Sequence, residues 1–127
     1  MLKLVLLFGL SVAMAEDCAV KTRASFDVGS GTTKMLIAKI DTCHNRLVET
    51  VKYKDQKVGY KQDLGPKGVV FSDEIMIKGL KTFNDFKTIA LAHGAQEFSG
   101  VATSAFRQAT NSAKFLKEVL KKTGIKI

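Results

Sequence analysis

The sequence predicts an α/β fold in the order β-β-β-α-β-α, with one further strand opening at its end. Three observations predict it. Apolar and β-branched runs recur early, separated by short polar turns, which reads as a strand meander. Two later segments carry apolar residues at helical spacing between a capping residue and a glycine. A small-residue run lies between those two segments and reads as a strand.

Each element follows in order. Ala19–Asp27 reads as the first strand and Lys34–Asp41 as the second, with alternation through Leu36, Ala38 and Ile40. Asp41-Thr42-Cys43-His44-Asn45 is a turn. Leu47–Val58 reads as a third strand, with Leu47, Thr50, Val51 and Tyr53 as candidate core residues. Gly59–Val70, with Gly65-Pro66 and Gly68, reads as a loop. Ser72 is an N-cap candidate, and Asp73 and Glu74 suit the first turn of a helix. Ile77, Leu80, Phe83, Ile89 and Leu91 give that helix an apolar face, and Gly94 stops it. Phe98–Thr103 is the fourth strand. Asn111 or Ser112 caps a second helix bearing Phe115, Leu116, Val119 and Leu120, which ends at Gly124. Ile125-Lys126-Ile127 opens the fifth strand. The chain stops there, so a fragment of a longer gene product is expected.

The first fifteen residues carry a different signal. Met1-Leu2-Lys3 is a short basic start, Leu4–Met14 is apolar apart from Ser11, and Ala13-Met14-Ala15 fits a cleavage site. This is a signal-peptide pattern, and the apolar run is too short to span a bilayer. Residues 16–127 then form one small domain with no membrane span, exported to the periplasm or secreted. A buried N-terminal strand is the alternative.

Export changes the meaning of the two cysteines, Cys18 and Cys43. In a hairpin that pairs Asp27 with Lys34, these cysteines lie opposite each other. Facing cysteines on paired strands come within bonding range, and an oxidising compartment preserves the bond. Two unrelated thiols are the alternative. A metal site at these cysteines is not expected, since His44 and His93 lack ligand spacing to them.

The chain has 20 Lys+Arg against 12 Asp+Glu, a formal net charge of +8, and losing Lys3 with residues 1–15 leaves +7. This balance suits polyanionic partners. The lysines are scattered and are not interleaved with aromatics, which argues against nucleic-acid specificity. A solvated basic surface accounts for much of the charge.

Two motifs carry chemistry. In Phe26-Asp27-Val28-Gly29-Ser30-Gly31-Thr32-Thr33-Lys34 a strand runs into a glycine turn and out again. Gly29 and Gly31 allow sharp bending and close approach of an anion to the main chain. Successive N–H groups there can form an anion nest, and Ser30, Thr32 and Thr33 add hydroxyls. Asp27 can orient a metal-bound water, and Lys34 can meet a phosphate charge. A polar hairpin turn without a ligand is the alternative. In the second motif, Gly100-Val101-Ala102-Thr103-Ser104-Ala105-Phe106-Arg107-Gln108-Ala109-Thr110-Asn111, a small-residue strand runs into Thr-Ser, and Arg107 follows one turn later. Thr103 and Ser104 can donate to a phosphate, and the planar fork of Arg107 suits bidentate phosphate binding.

The first motif resembles the first phosphate loop of the superfamily containing actin, the heat-shock chaperones, sugar kinases and exopolyphosphatases. Both motifs together resemble the exopolyphosphatase and guanosine pentaphosphate phosphohydrolase (Ppx/GppA) family, over about residues 24–127. The Ala-Thr-Ser-Ala-x-Arg-x-Ala-x-Asn pattern, Phe71-Ser72-Asp73-Glu74, Gly79-Leu80 and Phe115-Leu116 add to the likeness. The resemblance implies an incomplete ribonuclease-H-like, actin-like ATPase domain. It implies that Asp27, Gly29, Ser30, Gly31, Thr32 and Lys34 cradle a terminal phosphate, and that Asp27 helps place a Mg²⁺ ion. Thr103, Ser104 and Arg107 would hold phosphate oxygens, and Asn111 would act as a helix cap. Gly31-Thr32 departs from the Asn-Ser common in that family, which puts those side-chain contacts in doubt.

The family's catalytic Glu sits in a Gly-x-Glu-Glu-Ala-like segment, and its second loop is an Asp-x-Gly-Gly-Gly-Ser-like turn. Neither pattern occurs in this chain. Glu97 and Glu118 stand elsewhere in the pattern, so no catalytic residue is assigned. The expected function is a phosphohydrolase acting on the terminal phosphoanhydrides of polyphosphate, of which this chain supplies the first phosphate loop. A polyphosphate-binding half-domain that pairs with another chain or a dimer partner is the second reading. A sugar-kinase-like or actin-like nucleotide-binding protein is the third.

Overall fold

The computed structural model describes residues 18–127, so the expected signal peptide lies outside the described residues. Strand β1 (Val20–Val28) and strand β2 (Thr32–Asp41) form an antiparallel hairpin. Its register pairs Asp27 with Lys34 and Val20 with Asp41. Continuing that register sets Cys18 against Cys43, and the two are joined by a disulfide with Cα atoms 5.2 Å apart.

Strand β3 (Arg46–Lys57) pairs antiparallel with β2, and its ladder slips at two places, between Ile37 and Ala38 and between Lys39 and Ile40. Each slip gives β3 an extra residue, Val51 and Val48. Strand β4 (Glu97–Ala102) pairs parallel with β1 on the other side, giving the sheet order β3-β2-β1-β4. Gly100 lies against the Phe26 carbonyl so closely that a Cβ would collide with it. The Gly100 N–H donates to the Lys126 carbonyl at 2.9 Å, and Ser99 bridges Lys126 in parallel, so the chain's last residues do begin a further strand beside β4.

Among the described residues there are four helices: α1 (Tyr60–Leu64), α2 (Asp73–Ala92), α3 (Ser104–Gln108) and α4 (Ser112–Thr123). The expected order β-β-β-α-β-α is therefore corrected to β-β-β-α-α-β-α-α. The two added helices are five residues each, too short to show a helical apolar period. The α2 boundaries follow the capping chemistry. Ser72 Oγ accepts from the Ile75 N–H at 3.1 Å, and Gly94 takes the left-handed φ of 80° that ends the helix.

The Asn111 side chain does not cap α4. Its Oδ1 accepts from the Phe71 N–H at 2.9 Å, and its Nδ2 donates to the Phe71 carbonyl at 3.0 Å. It thus ties the start of α4 to the segment before α2.

The helices cover one face of the sheet. Ala24, Phe26 and Val28 of β1 and Thr33, Met35 and Ile37 of β2 are buried there with Phe83, Phe86, Phe115 and Val119. Of the expected alternation of β2 through Leu36, Ala38 and Ile40, only Ala38 is buried; Leu36 and Ile40 are half-buried, in open-face rows with the exposed Tyr53 and Leu47. Ile77, Leu91 and Leu120 are likewise exposed on the outer faces of their helices. No helix among the described residues is long and apolar enough to cross a membrane.

Candidate phosphate-binding site

Two adjacent parallel strands end side by side, with Val28 of β1 in register with Ala102 of β4. The segments that follow, Gly29–Gly31 and Thr103–Ser104, therefore leave the same end of the sheet together. The crevice outside the carboxyl ends of parallel strands is where open α/β sheets bind ligands. There the Ser30 and Ser104 hydroxyls meet at 3.0 Å across 74 positions of sequence. The two motifs thus meet at one end of the sheet.

Backbone bonds hold the two segments at this spacing. The Thr103 N–H donates to the Val28 carbonyl at 3.1 Å, and Thr103 Oγ1 donates to the same oxygen at 3.3 Å. The Thr103 hydroxyl is thus spent on fixing the turn, while Ser104 presents its hydroxyl beside Ser30. Arg107 lies in the last turn of α3 with its side chain exposed.

Neither Gly29 nor Gly31 has a left-handed φ, so the loop is a turn without the alternating right- and left-handed form of a nest. Gly29 is required by crowding, because a Cβ would stand 2.9 Å from the Thr32 carbonyl oxygen, to which its own N–H donates at 3.0 Å. Gly31 has open space around it. The Ser30 carbonyl accepts from Lys61 N–H at 2.9 Å, and the Gly31 carbonyl accepts from Val58 N–H at 2.8 Å and Gly59 N–H at 2.9 Å.

The remaining expected residues separate into two groups. Thr32 is half-buried at the start of β2, beside the loop. Thr33 alternates to the helix-covered face and is buried, so its hydroxyl is no donor to the loop. Asp27 and Lys34 alternate to the open face, in one cross-strand row with Val101 and Asp55. Lys34 is exposed between two acidic positions and stands outside the Ser30–Ser104 contact.

The fit for Mg²⁺ is partial. No group of three or more His, Cys, Asp or Glu residues that could hold a metal occurs among the described residues. Asp27 is a single carboxylate with Lys34 opposite it. Mg²⁺ is commonly held by one or two carboxylates plus substrate phosphates, but this chain's donors alone do not make a resident metal site.

Glu97 and Glu118 are placed away from the loop. Glu97 begins β4, at the sheet end opposite Ser104, and is ion-paired with Arg23 and Lys21. The Arg23 guanidinium hydrogen-bonded to it holds its carboxyl below the usual range, and Lys21 adds to this. Glu118 lies on α4, where Lys122 lowers it in the same way. A groove of about 400 Å³ between β3 and α2 contains none of the expected site residues.

Sequence reasoning missed Tyr60. Its residue is fully buried just below the loop, between the Gly59 and Lys61 amides that bind the loop carbonyls. Its ring packs edge-on against Phe106 of α3 with centroids 4.6 Å apart, and also against Phe71 and Phe115. Tyr60 Oη and Thr33 Oγ1 are both buried without a partner in good hydrogen-bond geometry among the described residues; burial pushes the phenol well above its ordinary range, and the nearby Thr33 hydroxyl opposes part of that shift. The glycines flanking the α1 segment, and the absence of periodicity, hid this role.

The fold is that of part of an actin-like ATPase-fold domain. The chain belongs to the Ppx/GppA phosphatase family, whose model matches residues 36–127, beginning just past the glycine loop. The crystal structure of the Aquifex aeolicus family member is similar at a TM-score of 0.71 and 20% identity, over 86% of this chain and 35% of that one. An exopolyphosphatase from Cytophaga hutchinsonii is similar at 0.68 and 25% identity, over 83% and 32% of the two chains. A bifunctional 3-dehydroquinate synthase/phosphatase from Fusobacterium nucleatum is 29% identical over 108 residues, covering 83% of this chain and 16% of that protein. The chain thus spans about a third of the solved relatives and a sixth of the curated one.

Proposed function

We propose that this chain is the substrate-anchoring part of a phosphohydrolase that removes terminal phosphates from polyphosphate. The observation that carries the reading is the Ser30–Ser104 contact, which joins two phosphate-type motifs at the carboxyl ends of parallel strands. In this reading the Ser30 and Ser104 hydroxyls and the loop amides bind the terminal phosphate. Arg107 binds the oxygens of the following phosphate as a planar, charge-assisted donor.

Hydrolysis also needs a group that orients water. Glu97 and Glu118 do not stand at the loop, so the chain binds phosphate without supplying a general base. Mg²⁺ would neutralise phosphate charge when bound by Asp27 together with the substrate. The Cys18–Cys43 disulfide supports an oxidising, exported location, and such a location favours polyphosphate over cytoplasmic guanosine pentaphosphate.

The test is a calorimetric titration of the purified chain with long-chain polyphosphate, beside a phosphate-release assay. We expect binding that Arg107→Ala weakens about tenfold, the loss of one charge-assisted contact, and no release above the blank. Absence of binding overturns the substrate. Release that survives Glu97→Gln and Glu118→Gln overturns the missing base. Binding that remains without release, even when the chain is joined to the rest of its relatives' length, favours a polyphosphate-binding module.

A further inference from the structure

We infer that the Gly59–Lys61 turn is a positioning brace, which aims the Gly31 and Thr32 amides at the bound phosphate. The inference rests on the phosphate-binding reading above and adds the device that orients the loop.

A peptide unit is planar and trans, so a carbonyl and the N–H that follows it point in opposite directions. Lys61 N–H holds the Ser30 carbonyl at 2.9 Å, which turns the Gly31 N–H away from α1. Val58 and Gly59 N–H groups hold the Gly31 carbonyl at 2.8 and 2.9 Å, which turns the Thr32 N–H away as well. Two consecutive amides therefore face away from the brace. Loops that bind phosphate through nests reach a similar presentation by left-handed residues. Here the loop itself has none, and the left-handed residue is in the brace: Gly59, at φ 90° and ψ 41°.

The same turn reaches the other half of the site. Tyr60, between the Gly59 and Lys61 amides, packs on Phe106, two residues beyond Ser104. The α1 segment thus fixes the glycine loop through its backbone and α3 through its ring. This accounts for a fully buried tyrosine whose hydroxyl makes no hydrogen bond among the described residues. The ring and the adjacent amides are what the site uses.

The experiment is an amide-resolved NMR titration of the chain with tripolyphosphate. In the unmodified protein the Gly31 and Thr32 amides move most. Gly59→Ala, which strains a left-handed residue, weakens affinity at least tenfold, and Gly59→Asn, which tolerates that region, recovers it to within about threefold. Gly65→Ala is the control for general destabilisation. Gly65 also has a positive φ, 64°, and makes no bond to the loop, so its variant lowers melting temperature without changing affinity. If Gly59→Ala does not fold, hydrogen exchange on the unmodified protein decides: saturating tripolyphosphate slows the Val58, Gly59 and Lys61 amides. Unchanged affinity in folded Gly59→Ala, or equal loss in Gly59→Asn and Gly65→Ala, overturns the brace. Unchanged exchange at those three amides does the same. No response of any amide in the unmodified protein instead overturns the phosphate-binding reading.

Discussion

Ser30 and Ser104 place their hydroxyls 3.0 Å apart although 74 positions separate them in sequence. The contact exists because β1 and β4 are parallel neighbours that end in register, and because each strand passes directly into a polar turn. The proposed site would depend on the sheet for its spacing, on α1 for loop orientation and on Arg107 of α3 for its cation.

The disulfide should stabilise the fold without affecting the site. Cys18 and Cys43 join the end of the hairpin opposite the glycine loop. Closing a loop of this size contributes about 3 kcal/mol in the chain-entropy model. Reduction should lower the urea midpoint accordingly and leave tripolyphosphate affinity unchanged. Denaturation curves and titrations with and without dithiothreitol check both parts.

Asn111→Ala should cost about 2 kcal/mol, since it leaves the Phe71 N–H and carbonyl unpaired in a half-buried setting. Asn111→Asp should also destabilise, because it keeps the acceptor for Phe71 N–H but loses the donor. Equilibrium urea unfolding measures each. A cap role would instead let Asp substitute freely.

Tyr60→Phe should be neutral or stabilising by up to about 1 kcal/mol, because it removes a buried hydroxyl that makes no hydrogen bond among the described residues. Gly79 of α2 lies directly under that hydroxyl, and a Cβ there would collide with it and press on Phe115. Gly79→Ala should therefore cost roughly 2 kcal/mol as overpacking, and part of that cost should vanish in the Tyr60→Phe background. Thermal unfolding of the two single variants and the double variant tests the coupling.

Glu97 should shape the acid limb of stability. Its folded pKa lies below its unfolded value because Arg23 and Lys21 pair with its charged form. A depressed carboxylate contributes stability above the unfolded pKa of about 4.3 and loses it as pH falls through the folded value. Glu97→Gln should flatten the loss of stability below that pH and leave phosphate binding unchanged. Midpoints measured across the acid range check the slope.

The hairpin register was legible in sequence because the glycine turn and the two cysteines gave the same pairing. The long helix was legible from Ser72 and Gly94. The core phase of β2 was not, because Met35 and Ile37 on one face are as apolar as Leu36 and Ile40 on the other. Only the helices packed on one side decide between them. The α1 segment was hidden for a related reason: five residues between Gly59 and Gly65 carry no period, and their importance lies in backbone bonds to a loop 30 positions earlier. The two site motifs were readable as motifs, but their meeting depends on the parallel pairing of β1 with β4, which no local pattern specifies.

The measurement that tests the central claim most directly is a double-mutant cycle on Ser30 and Ser104, read as tripolyphosphate affinity. If the two hydroxyls hold one phosphate, each alanine variant weakens binding, and the double variant loses less than the product of the two single losses. Affinity unchanged in both single variants, with the chain still folded, would contradict the account, as would losses that multiply independently.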